Sequence, residues 1–184
     1  MKEKPPEASS SDEKLVERAR SGDLRAMDAL VSRHHAAVFR VALGILRNED
    51  DASDVAQEAF LKGFRGLGGF RGDAAFKTWI LTIAANEARM VLRKVGRRKE
   101  VALEAVAPVP TQDLSAHERV ERSEDAGRIR EVLAGLPDKQ RQSVELRIYE
   151  GLSFREIGAI IGSSEGAARV NYHHGIRRLR EMMK

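Results

Sequence analysis

The sequence contains no cysteine, which excludes a disulfide framework, a thiolate metal site and a thiol redox switch. Aromatic residues make up only 5% of its 184 positions, with Trp79 the single tryptophan. So few aromatics suit small helical units better than one large sheet-based core. Long apolar runs are also missing. The best candidate, Ala36 to Leu46, is interrupted by Arg40 and falls short of the ~20 apolar residues of a membrane span. The first residues, Met1 to Ser11, are polar, include Pro5 and Pro6, and lack the apolar stretch of a signal peptide. The expectation is a cytoplasmic chain without membrane insertion. An excess of one sign of charge is nearly absent as well: 32 Lys plus Arg face 28 Asp plus Glu, a net charge of +4. So small an excess does not by itself identify a nucleic-acid binder, because placement matters more than the total. What the chain does have is charge, 33% of all residues, which suits small helical units with wet surfaces.

Helical periodicity runs through most of the chain, and strand alternation is almost nowhere. Ser10 and Glu13 have capping-box spacing and predict a short helix that Gly22 closes. From Asp23, Met27, Leu30, Val31, Val38, Val41, Ala42 and Ile45 recur at three- and four-residue steps, the apolar stripe of a long helix. An acidic turn is expected at Glu49 to Asp51. The next helix should bury Ala56, Ala59, Phe60, Gly63, Phe64 and Leu67. Gly66 to Gly72 is too glycine-rich to continue it, and Asp73 is placed to cap a fourth helix running to about Arg98. Four helices on short turns describe a bundle. Composition then shifts. Val101 to Gln112, with Pro108 and Pro110, reads as a flexible linker, and Ser115 with Glu118 as a second capping box. The expected fold is all-α: two small helical domains, at 11–99 and 114–184, joined by a linker at 100–113 and preceded by a flexible N-terminus at 1–10.

The last segment reads as helix, turn, helix after a break at Leu136-Pro137. Gly151 ends one helix, Ser153 with Glu156 starts the next, and Ile157, Ile160 and Ile161 give that one its apolar face. Gly158 is small enough for a close crossing, Gly162 can take the turn conformation, and Glu165 to Met183 forms the final helix. Ala168, Tyr172, Ile176 and Leu179 form its buried stripe, while Arg169, Val170, His173, Arg177 and Arg180 face away. A helix presented this way can enter a major groove. Ser163 and Ser164 offer hydroxyls and free backbone N–H groups to a phosphate, and Arg169 is the first choice for a bidentate base contact. A plain helical hairpin with a basic solvated face would look similar.

Two further stripes carry chemistry. On the fourth helix Trp79, Thr82, Asn86, Arg89, Arg93 and Arg97 share one side, opposite Ile80, Ala84, Ala88, Val91 and Val95. The run Arg93, Lys94, Arg97, Arg98 and Lys99 makes a track for a phosphate backbone, and Trp79 could stack on a base or pack in the core. On the third helix Asp54, Gln57, Glu58, Leu61 and Lys62 share a face opposite the apolar residues. It is either a solvated face or a docking surface whose carboxylates meet a basic partner around one exposed leucine.

Together these segments resemble the extracytoplasmic-function group of the sigma-70 family. Asp54-Val55-Ala56-Gln57-Glu58-Ala59-Phe60 is similar to the family's polymerase-binding signature, and Phe70-Arg71-Gly72-Asp73-Ala74-Ala75-Phe76-Lys77-Thr78-Trp79 to its loop and helix start. Leu136-Pro137, Gly151 to Ile157 and Gly162 to Gly166 are similar to its region four. The resemblance implies a sigma factor, not itself an enzyme and without cofactor or metal, that directs core RNA polymerase to promoters. Asp54, Gln57, Glu58, Phe60, Leu61 and Lys62 would engage the β′ coiled coil, with Phe60 supporting from within, and region four the β flap. Phe70, Arg71, Gly72, Asp73, Ala74, Lys77, Trp79, Asn86, Arg89, Arg93 and Arg97 would meet the minus-ten element, with the loop Phe70 to Ala75 capturing an unstacked base. Ser163, Ser164, Glu165, Arg169, Val170, Asn171, His173 and Arg177 would read the minus-thirty-five element as duplex. An anti-sigma factor is the further partner implied. The chain departs from the family at Val170, Asn171, His173-His174 and Ile176, where arginines are common, and at Gly158, where alanine is more usual.

Two other readings compete. A stand-alone helix-turn-helix regulator would use only the last segment and leave Asp54 to Phe60 and the glycine loop without a purpose. A metalloenzyme using His34-His35 and His173-His174 is disfavoured by geometry, because adjacent helical residues point roughly 100° apart.

Overall fold

The computed structural model describes residues 10–103 and 131–183, with side chains for all of these but 96–103. The chain divides into two compact units, Met1–Val91 and Leu92–Lys184. Among the described residues there are helices and turns and no strand. In the first unit lie α1 (Asp12–Arg20), α2 (Leu24–Leu46), α3 (Glu49–Gly66), a 3-10 turn at Leu67–Gly69, and most of α4 (Phe76–Leu103). The second unit holds a helical segment at 131–134, then α5 (Asp138–Ile148), α6 (Phe154–Ile161) and α7 (Glu165–Met182). The Val101–Gln112 stretch is helical as far as Leu103. The rest of it, with Pro108, Pro110 and the Ser115–Glu118 pair, lies outside the described residues, as does most of the N-terminus.

Four local expectations differ from the structure. The N-cap of α1 is Ser11, not Ser10, and makes no side-chain cap bond. Starting one residue later puts Asp12 in the first turn, where it bonds Arg33 at 2.5 Å and His34 at 2.8 Å on α2. Glu49 to Asp51 is not a turn but the first turn of α3, capped by Asn48, whose side chain accepts the Asp51 N–H at 2.9 Å. Three carboxylates there suit the positive end of the helix dipole. Asp73 does not cap α4, which begins three residues later at Phe76; Asp73 pairs with Arg71 instead, at 2.9 Å. Finally, α4 passes Arg98 and continues to Leu103, since its first proline comes only at Pro108.

The first unit has a core of small side chains. Buried in it are Leu15, Val16 and Ala19 of α1, Ala26, Leu30, Val38 and Ala42 of α2, Ala52, Ala56, Ala59 and Phe60 of α3, and Ile80, Leu81, Ala84 and Ala88 of α4; Ala42, Ala52, Val55 and Ala88 form one cluster that joins α2, α3 and α4. The buried line of α2 runs Ala26, Leu30, His34, Ala37, Val38 and Ala42, so it is rotated from the expected stripe; Met27, Val31, Val41 and Ile45 are only half-buried. Packing against both α1 and α3 widens the buried sector and brings a histidine into it. By length and composition α2 is apolar enough to cross a membrane, more than its Arg40 interruption suggested; here it packs against α1 and α3. Phe64, expected in the core, is half-buried, and Leu67 is buried from the 3-10 turn instead of from α3. At Gly63 a β-carbon would lie 2.7 Å from Ile80 Cδ1, so a side chain there would have to displace the end of buried Ile80.

The second unit closes on Leu133, Leu136 and Val144, with Tyr172, Ile176 and Leu179 packed against them, and on Ile157, Ile160, Ile161 and Ala168. Tyr172, Ile176 and Leu179 are half-buried, while Gly175 is buried close on α5, where a β-carbon would lie 2.7 Å from Val144 Cγ2. Burying one such leucine or isoleucine contributes about 1.5–3 kcal/mol.

Candidate nucleic-acid interface and docking face

The α6–α7 hairpin is built by local chemistry. Ser153 accepts the Glu156 N–H at 3.3 Å while the Glu156 carboxylate accepts the Ser153 N–H at 2.8 Å, a complete capping box. Gly162 ends α6 with φ 66°, in the left-handed region that disfavours a β-carbon. Ser163 N–H returns to the Gly158 carbonyl at 2.8 Å, and Ser164 caps α7 by accepting the Ala167 N–H at 3.1 Å. The turn lies so close on Gly158 that a β-carbon there would be 2.9 Å from the Ser163 carbonyl oxygen.

This frame exposes one side of α7. Glu165, Arg169, Val170, His173 and Arg177 are exposed, with Asn171 half-buried and Ser163 half-buried at the turn. Arg169 bonds Glu165 at 3.0 Å, and its guanidinium lies 5.2 Å from the Phe154 ring centroid. A second guanidinium, that of Arg147, lies 5.0 Å from the same ring and donates to the Leu152 carbonyl at 2.7 Å. Phe154 also meets Tyr172 at 5.5 Å and His173 at 6.3 Å. Sequence reasoning took Phe154 only as part of the Gly151 to Ile157 resemblance and gave Arg147 no role, because their contacts cross the turn and follow no helical period. The only available signal was an aromatic directly after the cap.

In the first unit the loop after the 3-10 turn is open. Arg71, Gly72, Asp73, Ala74 and Ala75 are exposed, and Gly72 takes φ 79°. At its edge Phe70, Phe76 and Trp79 form an aromatic cluster, with Phe70 and Trp79 centroids 4.8 Å apart and Phe76 and Trp79 5.9 Å apart. Trp79 is half-buried, and its ring runs along α3, 3.8 Å from where β-carbons would stand at Gly63 and Gly66. The packing reading of Trp79 is met: its half-buried ring lies against α3 and between Phe70 and Phe76. Further along α4, Asn86 is exposed and accepts from Arg89 at 3.1 Å, Arg93 and Lys94 are exposed, and Lys77 is half-buried. Val95, expected on the buried side, is exposed. The Arg97 side chain lies outside the described residues.

On α3, Asp54, Gln57 and Leu61 are exposed, Leu61 by 50%, and Glu58 is half-buried beside them. Phe60 is on the opposite side and buried, its ring 6.5 Å from His35 and 6.1 Å from Phe64. Lys62 leans toward α4 and bonds Glu87 at 2.6 Å, with Glu58 at 3.8 Å. The hydrogen bond to Glu87 holds this ammonium charged to higher pH than an ordinary lysine. Of the two histidine pairs, His34 is buried on Asp12 and His35 stacks between Phe39 and Phe60. His173 and His174 are both exposed.

Comparison with known proteins matches both units. The family model described as Sigma-70 region 2 matches residues 30–98, and that described as Sigma-70, region 4 matches residues 132–181. The chain is 36% identical to the RNA polymerase sigma-H factor of Pseudomonas aeruginosa over 166 residues, 86% of each chain. It is 34% identical to the ECF RNA polymerase sigma-E factor of Escherichia coli K12 over 178 residues, 86% of this chain and 87% of that one. Among solved structures, CnrH in complex with the cytosolic domain of CnrY is similar at a TM-score of 0.65 and 25% identity, covering 95% of this chain and 97% of CnrH. The sigma factor RpoE of Bartonella quintana, solved with the anti-sigma factor NepR, shares the fold at a TM-score of 0.68 and 22% identity, over 85% and 95% of the two chains.

Proposed function

The chain belongs to the sigma-70 family, in its extracytoplasmic-function group, and from that membership we infer that it is an alternative sigma factor directing core RNA polymerase to its own promoters in the cytoplasm. Its part is binding and positioning; the chemistry of RNA synthesis belongs to the polymerase. In our reading Asp54, Gln57, Glu58 and Leu61 dock on the β′ coiled coil, with Phe60 packed behind them and Lys62 tying the face to α4. The second unit docks on the β flap.

The loop Phe70 to Ala75, with Lys77, Trp79, Asn86, Arg89, Arg93 and Arg97, takes the minus-ten element. An unstacked base held in the loop offsets part of the cost of opening the duplex, on the order of a few kcal/mol. On α7 the exposed residues from Ser164 to Arg177 read the minus-thirty-five element, Arg169 giving up Glu165 for a base edge. The observation that carries this reading is that an exposed carboxylate–leucine face, an open loop beside half-buried Trp79 and an exposed helix-turn-helix all occur on one chain. A stand-alone regulator would use only the last of them. We further propose an anti-sigma partner that covers these surfaces, by analogy with the sigma factor RpoE solved in complex with the anti-sigma factor NepR.

The test is run-off transcription with purified core polymerase and a promoter library. The chain should confer defined start sites that share two elements. Tight duplex binding in a gel shift without polymerase, and no start sites with it, would leave the regulator reading.

A further inference from the structure

The loop at 70–75 has little support of its own: Gly72 sits at φ 79°, Arg71 pairs only with exposed Asp73, and Ala74 and Ala75 are exposed. Its shape therefore depends on how its two ends are held. The downstream end is the first turn of α4, where Trp79 N–H bonds the Ala75 carbonyl at 3.1 Å. The upstream end is held from elsewhere in the chain. Arg20, the last residue of α1, donates its Nε to the Leu67 carbonyl at 3.1 Å and its Nη2 to the Phe70 carbonyl. Its guanidinium also lies 5.9 Å from the Phe70 ring centroid. The Phe70 N–H returns to that same Leu67 carbonyl at 3.2 Å. One exposed planar cation thus reaches the carbonyls at both ends of the 3-10 turn and lies beside the Phe70 ring that meets Trp79. Arg20 lies outside the residues matched as Sigma-70 region 2.

We infer that Arg20 is a positioning residue for base capture: it sets the entry of the loop and so the site that the unstacked base must fit. The inference rests on the base-capture reading given above. A rigid fork with several donors suits this task, and lysine, a single point on a flexible stem, cannot hold two carbonyls in the same geometry. The same guanidinium could instead serve as one more phosphate contact, and the two roles respond differently to substitution.

The experiment uses holoenzyme made from the full chain and core polymerase. The probe is a pool of fork-junction DNA whose single-stranded minus-ten positions are randomised, with the bound fraction sequenced. Wild type should enrich one base at one position. Arg20→Gln and Arg20→Lys should both flatten that enrichment by roughly tenfold, because small misplacements of a binding group are costly, while thermal melting and the salt dependence of total binding stay near wild type. Enrichment that survives in both variants overturns the positioning role. So does a result in which Lys restores binding while Gln lowers the salt slope by about one, the signature of a lost phosphate contact. A wild type that shows no base preference anywhere overturns base capture, and the inference with it.

Discussion

His34 shows how one residue can tie the bundle to pH. It is 5% exposed in the middle of α2, and its Nε2–H donates to Asp12 Oδ2 at 2.8 Å, with the Phe76 ring 5.6 Å away. Burial pushes the imidazole below its ordinary value near 6.5; Asp12 pulls it back in part, and Lys77 and Arg33 add to the depression. The folded state therefore prefers neutral His34 more than the unfolded chain does. That preference contributes fully above pH ~6.5 and is lost as pH falls below it, because the unfolded chain takes up the proton first. For one such group the slope is at most about 1.4 kcal/mol per pH unit. Urea midpoints followed from pH 7.5 to 5.5 should fall faster for wild type than for His34→Gln; parallel curves would show that His34 is not the group responsible. None of this was legible in the sequence. Asp12 stands 22 residues upstream, and an adjacent His-His pair reads as surface. Gly175 was missed for a similar reason: the stripe Ala168, Tyr172, Ile176 and Leu179 was visible, but nothing local marks the close approach of Gly175 to Val144 and Gln140 on α5.

At the scale of elements, legibility followed how local the determining contacts are. The capping box of α6, the left-handed Gly162 and the buried Ile157, Ile160 and Ile161 could all be read, because each depends on residues within a turn or two. The same spacing at Ser10 and Glu13 misled, since the start of α1 is set by what Asp12 reaches on α2. Asp73 misled likewise: capping chemistry was present, but α4 starts where Phe76 enters the aromatic cluster. The face of α3 was legible because its exposed and buried residues alternate with helical period, and it carries a prediction. Replacing Asp54 and Glu58 together by lysine should weaken binding to core polymerase by roughly tenfold or more, mainly through slower association, and the loss should shrink as salt rises. Thermal melting should change little, because Asp54 is exposed and Lys62 keeps its bond to Glu87. Phe60→Ala makes the contrast: it should cost about 3–5 kcal/mol of fold stability. Unchanged polymerase affinity in the lysine variant would reject the docking face.

For the whole molecule, the question is whether the two units act as a tethered pair or as one ruler. Each has its own core and its own candidate surface, and the chain between α4 and the 131–134 segment carries none of the residues assigned to either. A tether predicts a shallow dependence on length. Once one unit is bound, the second meets its element at an effective concentration that falls slowly as the connection grows, with each doubling costing about 0.6 kcal/mol, or roughly threefold. Inserting a Gly-Ser segment within 104–113 should therefore lower occupancy of a two-element promoter by no more than about threefold per doubling. It should leave the start site unchanged and hardly affect a promoter whose upstream element is scrambled, because there the second grip is already lost. Quantitative footprinting of the holoenzyme on both promoters reads this directly. A steep loss on the two-element promoter, or a start site that shifts with the insert, would mean that the connecting residues measure the distance between elements instead of merely bridging it.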